Sequence, residues 1–392
     1  MIFLPCVAWA VEAPADTLDR AAFTAAVLAA NPEAAAARAA LAAARAGADA
    51  AGRWGDLMVE VGTMPLAIPT MPGWEVEVSQ QIPLWGIRRA ERAMATAGAE
   101  GAEADLRMTR LMLAEMATMA WADWYVLHRE IALVETSTAL LRQHAEATLA
   151  KYAVGRAWQH DALQAQAEAA GLVAFVRTLE AERDVTQARM NTLLHRDPDS
   201  PVAPPPASLA RAEAPAGDVV RPELAEAEAM RRMAEAELRM ARADRLPMVE
   251  WMAGWDAMAA HPEERLMVGV GVEVPLSQRS RAARVRAAEA EVSRAASMEE
   301  VARDEVARDV AEAERRLAGA RAVLDVVERE LLPAARDRVE AARAAFAAGM
   351  DDVRPLLDAE RAVLDAEIRH EEALAALELR AAMLRLARGE PE

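Results

Sequence analysis

Cysteine is almost missing from this sequence: Cys6 is the only one in 392 residues, so no internal disulfide is available and a disulfide-stapled scaffold is excluded. Aromatic residues are scarce at 4%, although hydrophobic residues make up 54%. Alanine, about a quarter of the chain and well above ordinary usage, therefore supplies much of the apolar surface. No stretch approaches the ~20 consecutive apolar residues of a membrane-crossing helix. Positive charge is in deficit, with 45 Lys plus Arg against 63 Asp plus Glu. The resulting net charge of −18 makes nucleic acids poor partners, because phosphate binding needs an excess of positive charge. The 20 prolines and 17 glycines are clustered, which leaves long stretches without punctuation. What remains is a composition for long helices: alanine, plus 28% charged residues.

Residues 1–10 (MIFLPCVAWA) are apolar and end in Ala8-Trp9-Ala10, a small-x-small pattern of the kind a signal peptidase cuts. They are predicted to be part of an export signal that lacks its basic opening region; an ordinary frayed terminus is the alternative. Phe3-Leu4-Pro5 ahead of Cys6 is a poor lipoprotein box.

The chain repeats itself. Asn31-Pro32-Glu33 opens one helical stretch and Arg221-Pro222-Glu223 opens another; Ile82-Pro83-Leu84 returns as Val274-Pro275-Leu276, and Tyr152-Ala153-Val154-Gly155 as Phe346-Ala347-Ala348-Gly349. These landmarks recur in order at nearly one offset, the signature of internal duplication. Residues 11–196 are read as the first repeat and 218–392 as the second, joined by a Pro-rich linker over 197–217 whose prolines cannot continue a helix.

Each repeat is predicted to run helix, two short strands, very long helix, tight break, helix. Residues 21–53 read as one Ala-rich helix, with Pro32 tolerated in its first turn. Strands are predicted at 56–62, 74–84, 248–255 and 266–276, where the period switches to two. The long helices are predicted at about 87–150 and 279–348, and Pro333 is expected to kink or divide the second. Alanine-rich helices of this length bury little per residue and need a continuous seam against one another.

Each strand carries one apolar face and one face with a carboxylate. In 266–274, Leu266, Val268, Val270, Val272 and Val274 oppose Met267, Gly269, Gly271 and Glu273. Glu60, Glu75, Glu77 and Glu250 mark the equivalent polar faces, and tryptophans lie near the strand ends. Membrane β-barrel strands have this pattern, and so does a soluble sandwich of two hairpins. Four strands cannot close a barrel, so membrane strands require an oligomer.

Enzyme chemistry finds no site. The six histidines are scattered without zinc spacing, and Gly269-Val270-Gly271 is only a fragment of a phosphate-binding pattern. Neither a cofactor nor a resident metal is expected. The 20 methionines leave two readings: core filling, favoured for the helical stripe Met108, Met112, Met116 and Met119, or soft-metal contact near the strands.

The layout resembles the outer-membrane factor family, the TolC-like channels of tripartite efflux pumps and type I secretion. Its carriers are Gln80-Gln81-Ile82-Pro83-Leu84-Trp85-Gly86, Val274-Pro275-Leu276-Ser277, Tyr152-x-x-Gly155 with Asp161-x-Leu163-x-Ala165-Gln166, and Phe346-x-x-Gly349 with Leu357-Asp358-Ala359-Glu360. The resemblance implies a mainly α fold with a small membrane β-barrel portion, completed as a homotrimeric channel-tunnel in the outer membrane with a long periplasmic part. It implies a passive conduit that works with a periplasmic adaptor protein and an inner-membrane transporter. The carboxylate-lined strands and the methionines, taken alone, favour metal cations slightly over drugs as cargo. It assigns Tyr152, Gly155, Arg156, Phe346 and Gly349 to the adaptor-docking tips, and Asp161, Asp351, Asp352 and Asp358 to the periplasmic gate. It assigns Glu60, Glu75, Glu77, Glu250 and Glu273 to the barrel lumen. Pro355 stands where such proteins often carry Asp, and Asp161 and Asp358 also read as helix-start residues beside a turn. A periplasmic coiled-coil adaptor or scaffold that never inserts is the alternative.

Overall fold

The computed structural model describes residues 17–64, 73–154, 158–215, 217–257, 261–348 and 353–390. The export-signal reading of residues 1–10 falls outside them.

Eight helices and four strands are described. Helices α1 (Arg20–Ala30) and α2 (Pro32–Ala50) precede strands β1 (Met58–Met64) and β2 (Gly73–Ile82), followed by α3 (Ile87–Ala153) and α4 (Gln159–Leu193). The order then recurs with α5 (Pro222–Ala243), β3 (Met248–Asp256), β4 (Leu266–Glu273), α6 (Gln278–Val326), α7 (Leu332–Ala347) and α8 (Val353–Arg388). The fold is mainly helical with one small antiparallel sheet. At 67 residues α3 is a continuous helix about 100 Å long.

Two expectations need correction. The stretch 21–53 is two helices, because Asn31 is extended (φ −69°, ψ 130°) and its Oδ1 accepts from the Glu33 N–H at 2.8 Å. Proline disfavours the helical region for the residue before it, and Asn31 turns that break into a cap for α2. Within the protomer the methionine stripe is not core: Met112, Met116 and Met119 are 46%, 36% and 48% exposed. Helix α3 instead buries Leu113, Ala117, Trp121 and Trp124.

Pro333 acts as expected, by a specific device. A π-helical segment, Val327–Leu331, separates α6 from α7, and the Leu332 N–H bonds to the Val327 carbonyl. Pro333 has no N–H to offer the preceding turn, and the wider turn absorbs the mismatch.

The chain forms two compact units, each drawing on both halves of the sequence: residues 1–35, 109–221 and 307–392 in one, 36–108 and 222–306 in the other. In the first, Phe23, Val27, Leu113, Trp121, Trp124, Tyr125 and Met190 pack into the largest core cluster. Its buried indoles are satisfied by main chain, Trp121 Nε1 donating to the Leu18 carbonyl at 2.9 Å and Trp124 Nε1 to the Ala203 carbonyl at 3.1 Å. The Pro-rich segment is thereby tied down: Asn191 Nδ2 also donates to the Pro198 and Ser200 carbonyls, and Arg211 pairs with Asp325. In the second unit the sheet is a meander of order β1-β2-β3-β4, every pair antiparallel.

Burial holds the His128 pKa below the usual histidine value, against the opposing effect of the Trp124 carbonyl that its Nδ1 meets at 2.9 Å. The unfolded chain therefore binds the proton first, and stability falls as pH drops from the ordinary value of ~6.5 toward the lower folded one. The expected outcome for His128→Gln is a flatter dependence of the denaturation midpoint on pH between about 5 and 8.

Candidate functional site

The sheet register gathers the polar residues of all four strands on one face. Glu60 of β1 lies directly opposite Glu77 of β2, which lies opposite Gly254 of β3, itself opposite Met267 of β4. Neighbouring rows of that face run Met58, Ser79, Met252, Gly269, and then Gln81, Glu250, Gly271; Met248 faces Glu273. Glu75 pairs with Asp256, so the face carries six carboxylates and no basic side chain among the strand residues. The sequence reading missed Asp256 because it ended the third strand one residue early, at Trp255.

Glycine shapes this face as well. A Cβ on Gly269 would come within 3.1 Å of Met252 Cγ, and one on Gly271 within 3.4 Å of its Cε. The two glycines thus let the Met252 side chain lie flat along the sheet. The opposite face is apolar and open: Val59, Val61, Val268, Val270 and Val272 are each at least 58% exposed, with Leu266 and Trp255 beside them.

The helix ends carry the second set of candidates. Tyr152, near the end of α3, is exposed, and Phe346, near the end of α7, lies under the Lys151 ammonium at 3.7 Å. Asp161 is only 5% exposed. It accepts from the Trp158 N–H at 3.4 Å, satisfying the main chain at the start of α4, and one oxygen lies 3.2 Å from His160 Nε2. Asp358, on the second turn of α8, is exposed. Gly155, Arg156, Gly349, Asp351 and Asp352 lie outside the described residues.

A cluster that the sequence did not reveal lies beside these ends. His144 Nε2 of α3 is 2.7 Å from Glu360 Oε1 of α8, and Arg343 of α7 reaches the same oxygen at 3.5 Å. Glu360 is 5% exposed and its Oε2 has no hydrogen-bond partner. The pair joins residues 216 positions apart, and nothing in local spacing announces it. Among the described residues no group of three His, Cys, Asp or Glu side chains is arranged to hold a metal ion, and no helix is long and apolar enough to cross a membrane.

The comparisons agree with this layout. Residues 219–390 match the family described as outer membrane efflux protein. The chain is similar in fold to the outer-membrane channel OprN, at 23% identity and a TM-score of 0.82 over 94% of this chain and 89% of that one. It is similar to the outer membrane protein VceC of Vibrio cholerae, at 18% identity and 0.80 over 95% and 97%. It is also similar to the transmembrane channel protein CusC, at 18% identity and 0.82 over 95% and 92%. No curated protein matches in sequence. The resemblance to outer-membrane factors thus stands on the sequence of the second half and on the fold of nearly the whole chain.

Like charges placed directly across a strand pair work against the sheet, by roughly 0.2 to 1 kcal/mol. Glu77→Gln is therefore expected to raise the stability of the folded protein by about that amount, read as a higher urea midpoint.

Proposed function

We propose that this chain, with the outer membrane efflux protein signature in its second half and the TolC-like channel fold throughout, is the outer-membrane subunit of a tripartite export system. A protein of this kind is a conduit, not an enzyme. The observation that carries the reading is the sheet itself. One face is apolar and exposed, the other bears six carboxylates, and among the described residues both edge strands lack an outer partner. An open edge in hydrocarbon leaves backbone groups unpaired at several kcal/mol each, whereas three copies of a four-stranded meander close into a barrel without edges. The apolar face then meets lipid and the carboxylate face lines the bore.

In this reading residues 11–196 and 218–392 are two repeats of one unit joined by 197–217, and residues 1–10 belong to the export signal. The trimer works with a periplasmic adaptor that docks at the helix ends around Tyr152 and Phe346, and with an inner-membrane transporter that supplies the energy. The cargo class is cationic, and metal ions are preferred because Met58, Met248, Met252 and Met267 place soft thioethers among the hard carboxylates of the bore. Of the four candidate gate aspartates, the two among the described residues divide by exposure. The Asp161 carboxylate caps α4, while that of Asp358 is free to form a threefold ring of negative charge.

Two outcomes test this reading. Wild type is expected only in detergent extracts of the membrane, at about three times the 42.3 kDa protomer by light scattering. Val270→Arg places a charge on the lipid face and should impair assembly by roughly 2 to 4 kcal/mol at mid-bilayer. A soluble periplasmic monomer that tolerates the change replaces the channel with a scaffold. In planar bilayers, Asp358→Asn is expected to lower cation preference more than Asp161→Asn does. Equal and unchanged selectivity in both removes the gate assignment and leaves the channel standing.

A further inference from the structure

The four connections at one end of the sheet share an unusual chemistry. The register puts the start of β1, the end of β2, the start of β3 and the end of β4 at the same end, where the strands meet α2, α3, α5 and α6. Helix α3 opens with Arg88, Arg89 and Arg92, and α6 with Arg279, Arg281, Arg284 and Arg286. Arg53 follows α2, Arg242 lies in the last turn of α5, and Arg245 follows it. Against these ten arginines the same stretches, 52–57, 83–92, 242–247 and 274–287, hold only Asp56, Glu91 and Asp244, in a chain whose net charge is −18.

The arginines are also placed where a helix resists them. The N-terminus of a helix carries partial positive charge and favours acids, yet neither α3 nor α6 has an acid in its first turn. Elsewhere on these helices arginines find carboxylates, as in Arg231–Glu299, Arg232–Glu100 and Arg303–Glu299. At the sheet end a few are engaged by the protein: Arg53 and Arg88 donate to main-chain carbonyls, Arg281 reaches the Asp244 carbonyl, and Arg242 pairs with Glu289. Arg89, Arg92, Arg279, Arg284 and Arg286 are exposed and make no ion pair among the described residues. Five unpaired positive charges, two of them (Arg89 and Arg279) in the first turns of α3 and α6, call for an anion from outside the protomer.

The adjoining surface indicates its source. The exposed apolar face runs straight into this collar through Val274 and Leu276, the latter 91% exposed. Trp54 and Trp85 stand exposed at the same level, with the Arg88 guanidinium 4.8 Å over the Trp54 ring. Tryptophan at the boundary of an apolar band marks the headgroup layer. Guanidinium groups match phosphate oxygens bidentately.

We propose that this arginine collar binds the phosphate headgroups of anionic phospholipids in the leaflet nearest the helices, and so fixes the depth of the sheet in the bilayer. The inference rests on the channel reading, because it needs the apolar face in lipid. It adds a lipid-binding surface that neither the conduit nor the gate requires.

The test reconstitutes the intact protein in vesicles of phosphatidylcholine with a minor share of phosphatidylglycerol, then measures the lipid retained on extraction. Wild type is expected to retain phosphatidylglycerol about fivefold or more above its bulk share. Arg89, Arg92, Arg279, Arg284 and Arg286 changed together to Gln should return the ratio to the bulk value, and the same five changed to Lys should keep most of the enrichment. Retention by wild type at the bulk ratio overturns the proposal even if no variant folds, as does undiminished enrichment in an inserted glutamine variant. Loss of the enrichment to inorganic phosphate at the phospholipid's own concentration also overturns it, because a free anion then suffices. A wild type that conducts but shows no lipid preference leaves the channel reading intact; one that never enters the vesicles ends both.

Discussion

Everything in this protein turns on the two unpaired edges of a four-stranded sheet. Strands β1 and β4 end the meander, and no proline or inward-pointing lysine blunts either edge. Water can satisfy such an edge, but water gives no reason for an exposed valine face beside it, and a soluble protein with both features aggregates. Lipid accounts for the valine face and forbids the open edge. The two demands are met together only when copies of the chain pair edge to edge. The proposed threefold assembly answers that demand of one small sheet.

The helices answer a different constraint. A helix of 67 residues rich in alanine has little apolar area per turn, so no single contact holds it. Its buried residues are spread over many small clusters. Trp121 and Trp124 anchor one, Leu127 and Val134 another, and Leu141 with Ala145 a third against α4 and α8. Between the helices run ion pairs such as Arg45–Glu103 and Arg129–Glu371, each worth little alone where exposed. Distributed packing of this kind lets a long element stay stable without a thick core. Near the helix ends Glu360 is the exception, a buried carboxylate held by His144 and Arg343 on two other helices. Breaking such a contact costs far more than breaking a surface pair, because the charge left behind is desolvated.

Most of this architecture was legible in the sequence, since the features that produce it are periodic. The switch from a period near 3.6 to a period of two located all four strands within a few residues, and the faces of Leu266 to Glu273 fell as alternation required. The break at Pro32 was visible but was discounted, because proline in a first turn is ordinary. What decided the matter was the asparagine before it, whose side chain caps the next helix. The methionine stripe on α3 was misjudged because periodicity shows that residues share a face without showing which face is turned inward. Asp256 was lost to a strand boundary, the least secure feature of any sequence reading. The His144–Glu360 contact had no local signal at all, being made by two helices far apart in the chain.

The distribution of charge is the last feature that the fold explains. Along the helices arginines and glutamates pair with each other, as solubility and helix stability favour. On the unit that carries the sheet, two populations are held apart. Carboxylates crowd one sheet face, with Glu60 across from Glu77, while free arginines collect where strands become helices. A chain in uniform solvent gains nothing from this separation and loses a little at each like-charge neighbour. In the proposed assembly each population meets its own medium: a water-filled bore that draws cations on one side, and a layer of phosphates on the other. One alternating strand pattern followed by one arginine-rich helix start, written twice, is enough to build both.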